Sequence, residues 1–308
     1  MKFGIIGAGH VGASIAHLLV MKKAGDIYLL DIDADMAKGK AIDLNQSKFL
    51  FDSPYDVEGG GDYEKIMGCN FIVITAGLAR KPGMSRDDLL MKNFEIMKSV
   101  SLEIKKSKKE PIVIVVSNPL DIMAYTVYKT TGFPKNRVIG MAGILDTYRF
   151  KHYIQQHLGT KTTSIEAMTL GSHGDTMVPV SSSASVNNKK LSDLVPGGEL
   201  AGLEEKTKKG GAEIVGLLKT GSAYYAPAAS AVRMLDAVIN DEKAILPCSV
   251  FARGEYGIND IYIGLPVKLG AGGAEKIREI SLSEKEKKQL ADSAKAITAQ
   301  IEKIKDKI

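Results

Sequence analysis

The sequence predicts an α/β protein whose first half forms a doubly wound parallel sheet and whose second half forms an α+β unit. Two observations carry this prediction. Up to about residue 142, short β-branched runs alternate with helical stretches, which is typical of strands buried on both faces of a parallel sheet. Beyond that point the order of helices and strands changes. The 308-residue chain is long enough for two domains, which we assign to residues 1–143 and 144–308.

The elements of the first half follow from hydrophobic periodicity and from turn residues. Strands are predicted over residues 2–6, 27–30, 71–74 and 112–116. Helices are predicted from a glycine turn to about residue 23, over 34–46 and over 87–108. A further helix is expected after Pro119, because proline is favoured in the first turn of a helix.

The second half mixes helices and strands in a less regular order. Helices are predicted over residues 146–158, 203–218 and 222–239, and strands over 164–170, 246–252 and 261–267. The last segment, 283–306, reads as an amphipathic helix with the apolar stripe Leu290, Ala294, Ile297, Ile301 and Ile304. We expect this stripe to pack on the protein's own core rather than on a partner helix.

The composition argues against several classes of protein. Hydrophobic residues make up 44% and charged residues 25% of the chain, which is ordinary globular usage and not that of a disordered chain, a collagen or a disulfide scaffold. Lys and Arg number 41 against 36 Asp and Glu, and this net charge of +5 is typical of a solvated surface. No apolar run reaches the length of a membrane span. We therefore expect neither nucleic acid nor membrane as a partner.

Two features favour a cytoplasmic location. The two cysteines, Cys69 and Cys248, lie in apolar surroundings, as expected of core residues in a reducing compartment and not of a disulfide or a metal site. The apolar stretch 3–20 follows Lys2 as in a signal peptide, but four glycines and two histidines interrupt it. We expect this stretch to stay in the mature protein as part of the fold.

A glycine-rich turn follows the first predicted strand and opens the first predicted helix. Its G-x-G-x-x-G pattern consists of Gly7, Ala8, Gly9, His10, Val11 and Gly12. In this context the pattern is typical of the phosphate-binding turn of a Rossmann-type dinucleotide domain. Gly7 permits the tight turn, Gly9 lets the backbone approach a pyrophosphate, and Gly12 allows close packing of helix on strand. The helix N-terminus offers unpaired N–H groups to the phosphates.

A carboxylate ends the second predicted strand. Asp31 follows Gly12 by 19 residues, the spacing of an acidic side chain that binds the ribose hydroxyls of the adenosine. A 2′-phosphate would meet its negative charge, and neither Ile32 nor Asp33 supplies a compensating cation. The pattern therefore predicts NAD rather than NADP. Asp31 could alternatively cap the next helix, and a flavin could use the same glycine turn.

Cationic and amide side chains follow two further strand ends, where ligands bind in open α/β sheets. The segment 77–86 carries Arg80, Lys81 and Arg86 together with proline and glycine, so it reads as a loop able to close over an anionic substrate. A solvated loop without a role is the alternative. Asn118 follows the strand 112–116 and would point its amide into the same crevice, although Asn-Pro is also a common turn initiator.

An acid–base pair is available in the second half. His173 lies between two glycines after the strand 164–170, and Asp146 and Arg149 share one face at the start of a helix. The remaining histidines are expected to be inert: they are His10 and His17 of the first βα unit, and His152 and His157 of one helix. His173 is the exception because Asp146 and Arg149 are available as partners.

Together these motifs resemble the NAD-dependent lactate/malate dehydrogenase family, and within it the lactate-dehydrogenase-like malate dehydrogenase branch. The resemblance spans nearly the whole chain and rests on five separated motifs in the family's order, namely Gly7 to Gly12, Asp31, the run A-R-K-P-G-M-S-R at 79–86, the run L-D-T-Y-R-F at 145–150 and the run G-S-H-G-D at 171–175. Larger residues than in many relatives stand at Thr147 and Tyr148, which we expect to alter local packing only.

The resemblance implies a role for each matching residue. His173 would be the acid–base catalyst, with Asp146 orienting its ring and stabilising the imidazolium. Arg149 would bind the C1 carboxylate of the substrate through a bidentate pair. Arg86 would polarise the substrate carbonyl as charge develops on its oxygen. Asn118 would donate a hydrogen bond to the substrate oxygen.

The resemblance also implies cofactor contacts and a substrate. Asn93 and the backbone around Val116, Ser117 and Asn118 match positions near the nicotinamide. Arg80 stands where the lactate branch has glutamine, and an arginine there would pair with the second carboxylate of malate or oxaloacetate. Residues 221–223 resemble the small-residue patch of the malate branch. The implied activity is malate dehydrogenase, a reaction of the tricarboxylic acid cycle, in a homodimer or homotetramer.

Three other functions stay open on the residues alone. A lactate or other 2-hydroxyacid dehydrogenase would share the whole catalytic set. A non-catalytic NAD sensor would keep the dinucleotide fold, but it would have no reason to retain His173, Asp146 and Arg149 together. A nucleic-acid binder would need aromatic stacking motifs or a basic groove, and the sequence has neither pattern.

Overall fold

The first half of the chain is a βα unit repeated along a parallel sheet. A computed structural model describes residues 1–78, 84–107 and 109–308. In chain order its first elements are β1 (Lys2–Ile6), α1 (His10–Met21), β2 (Asp26–Leu30), α2 (Ala34–Ser47), β3 (Val57–Gly60), β4 (Phe71–Ile74), α3 (Arg86–Ile104), β5 (Ile112–Val115), α4 (Leu120–Thr131) and β6 (Val138–Gly140). The predicted strands and helices of this half are confirmed, whereas β3 and β6 were missed.

The strand order places a ligand crevice at one edge of the sheet. The parallel strands run β3-β2-β1-β4-β5-β6. The order therefore reverses between β1 and β4, and the carboxyl ends of these two strands flank the crevice where open α/β sheets bind ligands. The strands β1, β4 and β5 are buried on both faces, which explains their continuous apolar runs.

The second half adds helices, short strands and three long strands. Its elements are α5 (Gly143–His157), β7 (Ile165–Glu166), β8 (Thr169–Leu170), β9 (Val178–Pro179), β10 (Ser185–Val186), β11 (Lys189–Lys190), α6 (Leu191–Leu194), α7 (Gly197–Leu218), α8 (Tyr225–Ile239), β12 (Ala244–Arg253), β13 (Asn259–Gly270), β14 (Gly273–Ile277) and α9 (Glu284–Glu302). Strands β12, β13 and β14 are antiparallel and extend the large sheet beyond β6, where Ser249 pairs with Gly140.

The single strand predicted over 164–170 is wrong. β7 pairs with β10 in one small sheet, whereas β8 pairs with β9 in another. The chain changes partner between them, and at the start of β8 the N–H of Thr169 bonds to the hydroxyl of Thr147 on α5, at 2.8 Å. The apolar run therefore serves two sheets, and local periodicity could not separate them.

The last helix packs on the protein itself. Leu290, Ile297, Ile301 and Ile304 are buried in the main core, and Ala294 packs against it. This confirms that the stripe docks on the protein's own core. A smaller apolar cluster lies between α5, α6 and α7. Of the helices in residues 1–78, 84–107 and 109–308, none combines the length and apolar character that a bilayer crossing requires.

Candidate active site

A cavity of about 420 Å³ opens at the carboxyl edge of the parallel sheet. Loops after β1, β4 and β5 line one side of it, and α5, α7 and the segment after β8 line the other. Asn118, Arg149 and His173 face it, together with the small residues Gly221, Ser222 and Ala223. A groove of about 640 Å³ between β12 and β14 has no histidine in its lining. The smaller cavity therefore brings a histidine, an arginine and a side-chain amide together.

The glycine turn adopts the geometry that its pattern predicts. Gly7 has φ of +102°, a conformation that favours glycine. A Cβ on Gly12 would lie 1.9 Å from the carbonyl oxygen of Gly7, so only glycine lets α1 pack this closely. A Cβ on Gly9 would meet no atom within 4 Å, which leaves open space beside the backbone. No side chain caps α1 at Gly9. The turn therefore offers both room and free N–H groups to a pyrophosphate.

Asp31 is bound to this turn at the end of β2. Its Oδ2 accepts the N–H of Ala8 at 2.7 Å, and its Oδ1 accepts the N–H of Asp33 at 3.0 Å. The helix cap that the sequence also allowed for Asp31 belongs to Asp33, which accepts the N–H of Met36. The carboxylate of Asp31 therefore lies at the glycine turn, as a ribose-binding residue requires.

Lys40 is a cation of this region that the sequence argument overlooked. From α2, its ammonium donates to the carbonyl of Ala8 at 2.5 Å, and the N–H of Ala8 bonds Asp31. Positive charge therefore reaches the glycine turn from the helix, although Ile32 and Asp33 supply none. The sequence alone does not distinguish Lys40 from Lys38, because both have the pattern of solvated helix residues. Lys38 is indeed exposed and pairs with Asp35.

His173, Asp146 and Arg149 form one buried cluster. The Nδ1 atom of His173 lies 2.7 Å from Oδ2 of Asp146, and Nη1 of Arg149 lies 3.1 Å from Oδ1 of the same carboxylate. Asp146 is 1% exposed, and the two cationic partners are each 15% exposed. Because a carboxylate can only accept, His173 carries its proton on Nδ1 toward Asp146, and Nε2 is left for chemistry.

The environment raises the pKa of His173 above its ordinary value of 6.5. Burial by itself lowers this pKa, but the charge of Asp146 and its hydrogen bond to the ring raise it by more. Arg149 lowers the pKa and Asp121 raises it. The environment of the imidazole therefore favours its protonated form relative to a free histidine.

Arg149 has a buried donor that no atom of residues 1–78, 84–107 and 109–308 satisfies. Its Nε atom has no hydrogen-bond partner among the described residues. Gly211 of α7 lies beside the guanidinium, where a Cβ would come within 3.6 Å of it. An unpaired buried donor on a guanidinium that faces the cavity fits a ligand carboxylate.

Asn93 connects the loops that line the cavity. Its amide donates to the carbonyls of Leu78 at 3.1 Å and Asn118 at 2.7 Å, and its carbonyl accepts the N–H of Leu78 at 2.8 Å. Ser117 donates to the carbonyl of Ala76 at 2.5 Å. Val116, Ser117 and Asn118 line the cavity beside Asn93. The side chain of Asn93 is thus engaged by backbone, while that of Asn118 stays exposed.

Two arginines, Arg80 and Arg86, follow strand β4. Arg86 begins α3 and forms an ion pair with Asp175, with Nη2 and Oδ2 2.6 Å apart. It lies outside the cavity lining and is 75% exposed. Arg80 belongs to the segment 79–83, which lies outside the described residues. The structure therefore brings Arg149, His173 and Asn118 together and leaves Arg86 at the rim.

Two further side chains hold the segment that carries His173. Ser293 of α9 accepts the N–H of Ser172 at 2.8 Å, and Asp121 of α4 accepts the N–H of His173 at 3.1 Å. Sequence reasoning missed both, because Ser293 looks like an ordinary helix residue and Asp121 looks like a helix-start carboxylate. Asp121 follows Asn118 by three residues, which is the one signal that could have drawn attention to it.

Comparisons with known proteins agree across the whole chain. Residues 1–140 match the family model of the lactate/malate dehydrogenase NAD binding domain, and residues 144–308 match that of the alpha/beta C-terminal domain. A malate dehydrogenase of Chloroherpeton thalassium is 48% identical over 307 residues, covering 99% of this chain and 98% of the relative.

Solved structures of both named activities resemble this fold. Cryptosporidium parvum malate dehydrogenase matches with a TM-score of 0.96 at 40% identity, covering 99% of both chains. A lactate dehydrogenase of the same organism, solved with lactic acid and nicotinamide adenine dinucleotide, matches with a TM-score of 0.94 at 38% identity. That match covers 100% of this chain and 98% of the other.

Proposed function

This chain belongs to the lactate/malate dehydrogenase family, and we propose that it is a malate dehydrogenase that interconverts (S)-malate and oxaloacetate with NAD(H). The observation that carries the proposal is the cluster of His173, Asp146 and Arg149 on one cavity at the carboxyl edge of the sheet. This cluster joins a proton acceptor to a carboxylate-binding cation, which oxidation of a 2-hydroxy acid requires.

Each of these residues has a task in the reaction. NAD, held at the glycine turn beside Asp31, would supply the acceptor for the hydride of C2. Nε2 of His173 takes the hydroxyl proton of malate, and the carboxylate of Asp146 stabilises the imidazolium that forms. In the reverse direction the protonated His173 returns this proton to the oxygen of the ketone. Arg149 binds the C1 carboxylate, and Asn118 donates to the substrate oxygen. Arg86 lies outside the cavity lining and would have to reach that oxygen to stabilise its negative charge.

Malate is favoured over lactate on two grounds. Several relatives that cover nearly the full chain are named malate dehydrogenase, at 44% to 50% identity. Arg80, where the lactate branch has glutamine, would pair with the second carboxylate, and the small residues 221–223 leave room for it. An arginine without that carboxylate would be an unpaired charge, so pyruvate should be a poor substrate.

We propose NAD rather than NADP as the preferred cofactor. Asp31 at the glycine turn supports this choice, because its carboxylate suits ribose hydroxyls and repels a 2′-phosphate. Lys40 contributes positive charge to the same turn but is bound to the carbonyl of Ala8. A higher kcat/KM with NADP than with NAD would contradict the proposal.

We further propose that the chain works as a homodimer or homotetramer in the cytoplasm, with cofactor binding in residues 1–143 and catalysis in 144–308. Large apolar side chains left exposed on this chain support the assembly, namely Ile42, Phe49, Leu50, Leu217 and Tyr225. The buried, unpaired Cys69 and Cys248 support a reducing compartment. Light scattering on the purified protein tests the assembly, and a monomeric mass would refute it.

The function is tested by comparing oxaloacetate and pyruvate as oxidants of NADH. We expect a far higher kcat/KM with oxaloacetate, and equal or greater efficiency with pyruvate would overturn the malate assignment. The variant R80Q should lose oxaloacetate activity and gain relative preference for pyruvate. K81Q, which alters a neighbouring cation, is the matched control and should keep the preference for oxaloacetate.

A further inference from the structure

A second carboxylate lies behind the catalytic histidine. Asp121 is on the first turn of α4 and is 3% exposed. Its Oδ2 accepts the backbone N–H of His173 at 3.1 Å, and its Oδ1 accepts the hydroxyl of Ser249 at 2.7 Å. One side chain thus joins α4, the segment after β8 and strand β12.

The charge of Asp121 is not needed for this connection. A neutral amide can keep both contacts, because its oxygen accepts the N–H of His173 and its NH2 donates to the hydroxyl of Ser249, whereas burying a carboxylate is costly. Burial accordingly raises the pKa of Asp121, and the donors Ser249, His173 and Ser172 offset part of that rise. A costly buried carboxylate beside a functional group suggests a role for the charge itself.

The charged groups around His173 come from two helices. Asp146 and Arg149 face it from α5, and Asp121 faces it from α4. Asp146 bonds the ring, and Arg149 opposes a positive charge on it. Asp121 contacts the backbone N–H of the same residue, and its carboxylate is one of the groups that raise the pKa of the ring.

We propose that Asp121 is a positioning residue for His173, which holds the backbone of the histidine at the cavity and supports its protonated ring with a buried negative charge. This inference rests on the proposed function, in which His173 exchanges a proton with the substrate. It differs from the role of Asp146 because Asp121 acts without touching the imidazole nitrogens.

Ser293 provides a matched control for removing the charge of Asp121. Ser293 is buried like Asp121 and accepts the neighbouring N–H, that of Ser172, with a neutral hydroxyl. S293A therefore loosens the same segment without changing its charge. D121N keeps an acceptor for the N–H of His173 and removes the charge. If Asp121 acts only as an anchor, the two variants should behave alike.

The experiment measures the titration of the His173 ring by NMR in the protein without substrate, so its outcome does not depend on the malate assignment. The ring signal is assigned by its loss in H173Q, and D146N serves as a positive control that lowers the pKa. We expect D121N to lower the midpoint by about half a pH unit or more, and S293A to leave it in place. The acidic limb of kcat/KM for malate should move with the NMR midpoint.

Two outcomes would overturn the proposal. In one, D121N titrates like the unmodified protein. In the other, D121N and S293A shift the midpoint by the same amount. Circular dichroism and thermal unfolding check that each variant is folded. If D121N does not fold, D121S provides the same removal of charge with a smaller acceptor, and the same two outcomes decide the question.

Discussion

Arg86 and Asp175 form an ion pair between the start of α3 and the segment that carries His173, with Nη2 and Oδ2 2.6 Å apart. Asp175 follows His173 by two residues, and Arg86 opens α3 three residues after the segment 79–83. Both side chains are mostly exposed, at 75% and 70%. An exposed pair adds little to stability, so its importance lies in where it holds the guanidinium.

The first prediction separates the effect of the Arg86 guanidinium on catalysis from the effect of its ion pair with Asp175 on stability. R86Q should lower kcat for malate oxidation by about 100-fold, because it removes a cation that stabilises charge on the substrate oxygen. D175N should leave Tm nearly unchanged, since the pair is exposed. It should also lower kcat far less than R86Q, which steady-state kinetics will measure. A loss in D175N as large as in R86Q would show that Asp175 itself is required.

The second prediction concerns pH. Because the pKa of His173 lies above 6.5, malate oxidation, which needs the neutral ring, should fall as the pH drops through that raised pKa. Oxaloacetate reduction needs the protonated ring and should fall as the pH rises through it. D146N removes the main group that raises the pKa, so the acidic limb for malate should move to lower pH. Rate profiles in both directions test this, with H152N, on an exposed face of α5, as the control.

The same raised pKa predicts how stability depends on pH. A histidine with a raised folded pKa contributes stability that is fully present below pH 6.5 and is lost as the pH rises through the folded pKa. The free energy of unfolding of the parent protein should therefore lose this contribution on going from mildly acidic to alkaline pH. The variant D146N should lack most of this pH-dependent contribution to the free energy of unfolding. Denaturant titrations at several pH values measure the difference, and identical pH dependence in both proteins would refute the prediction.

The third prediction concerns Arg149. R149K keeps the charge but removes the planar fork that can bind a carboxylate through two parallel bonds. We expect kcat/KM for malate and for oxaloacetate to fall by about 10- to 100-fold. Binding of NADH, followed by its fluorescence, should be unchanged because Arg149 faces the substrate end of the cavity. A matching loss of NADH affinity would contradict this assignment.

The fourth prediction concerns Lys40. K40M removes both the hydrogen bond to the carbonyl of Ala8 and a positive charge near the phosphate-binding turn. We expect the Kd for NADH to rise by about tenfold, since hydrogen bonds to charged groups are worth about 1.5–3 kcal/mol. K38M is the matched control, because Lys38 lies on the same helix and pairs only with the exposed Asp35 among the described residues. Equal effects of the two variants would rule out a specific role for Lys40.

Sequence reasoning was most effective where function depends on local pattern. The turn at Gly7 and the close packing at Gly12 need glycine for steric reasons, so the spacing alone indicates the geometry. Asp146 and Arg149 lie on one face because they are three positions apart on a helix, and their pairing follows. The parallel strands were visible because burial on both faces demands continuous apolar runs.

Sequence reasoning failed where a residue's role depends on a distant partner. The strands β3 and β6 are short and contain glycine, so they have little periodicity of their own. The run 164–170 divides between two sheets because its two halves pair with different strands, β10 and β9. Lys40 and Asp121 resemble ordinary helix residues until their contacts with Ala8 and His173 are seen.

The sequence by itself determined the class of fold, the phosphate-binding turn and the residue types able to move a proton and bind a carboxylate, because these depend on spacing within a strand or a helix. Only the tertiary structure decided which of them meet. His173 and Asp146 are 27 residues apart, and Asp121 is 52 residues from His173. Contacts at such separations arise from the packing of α4, α5 and β12 around one edge of the sheet, and that packing places one buried carboxylate on the ring of His173 and another on its backbone N–H.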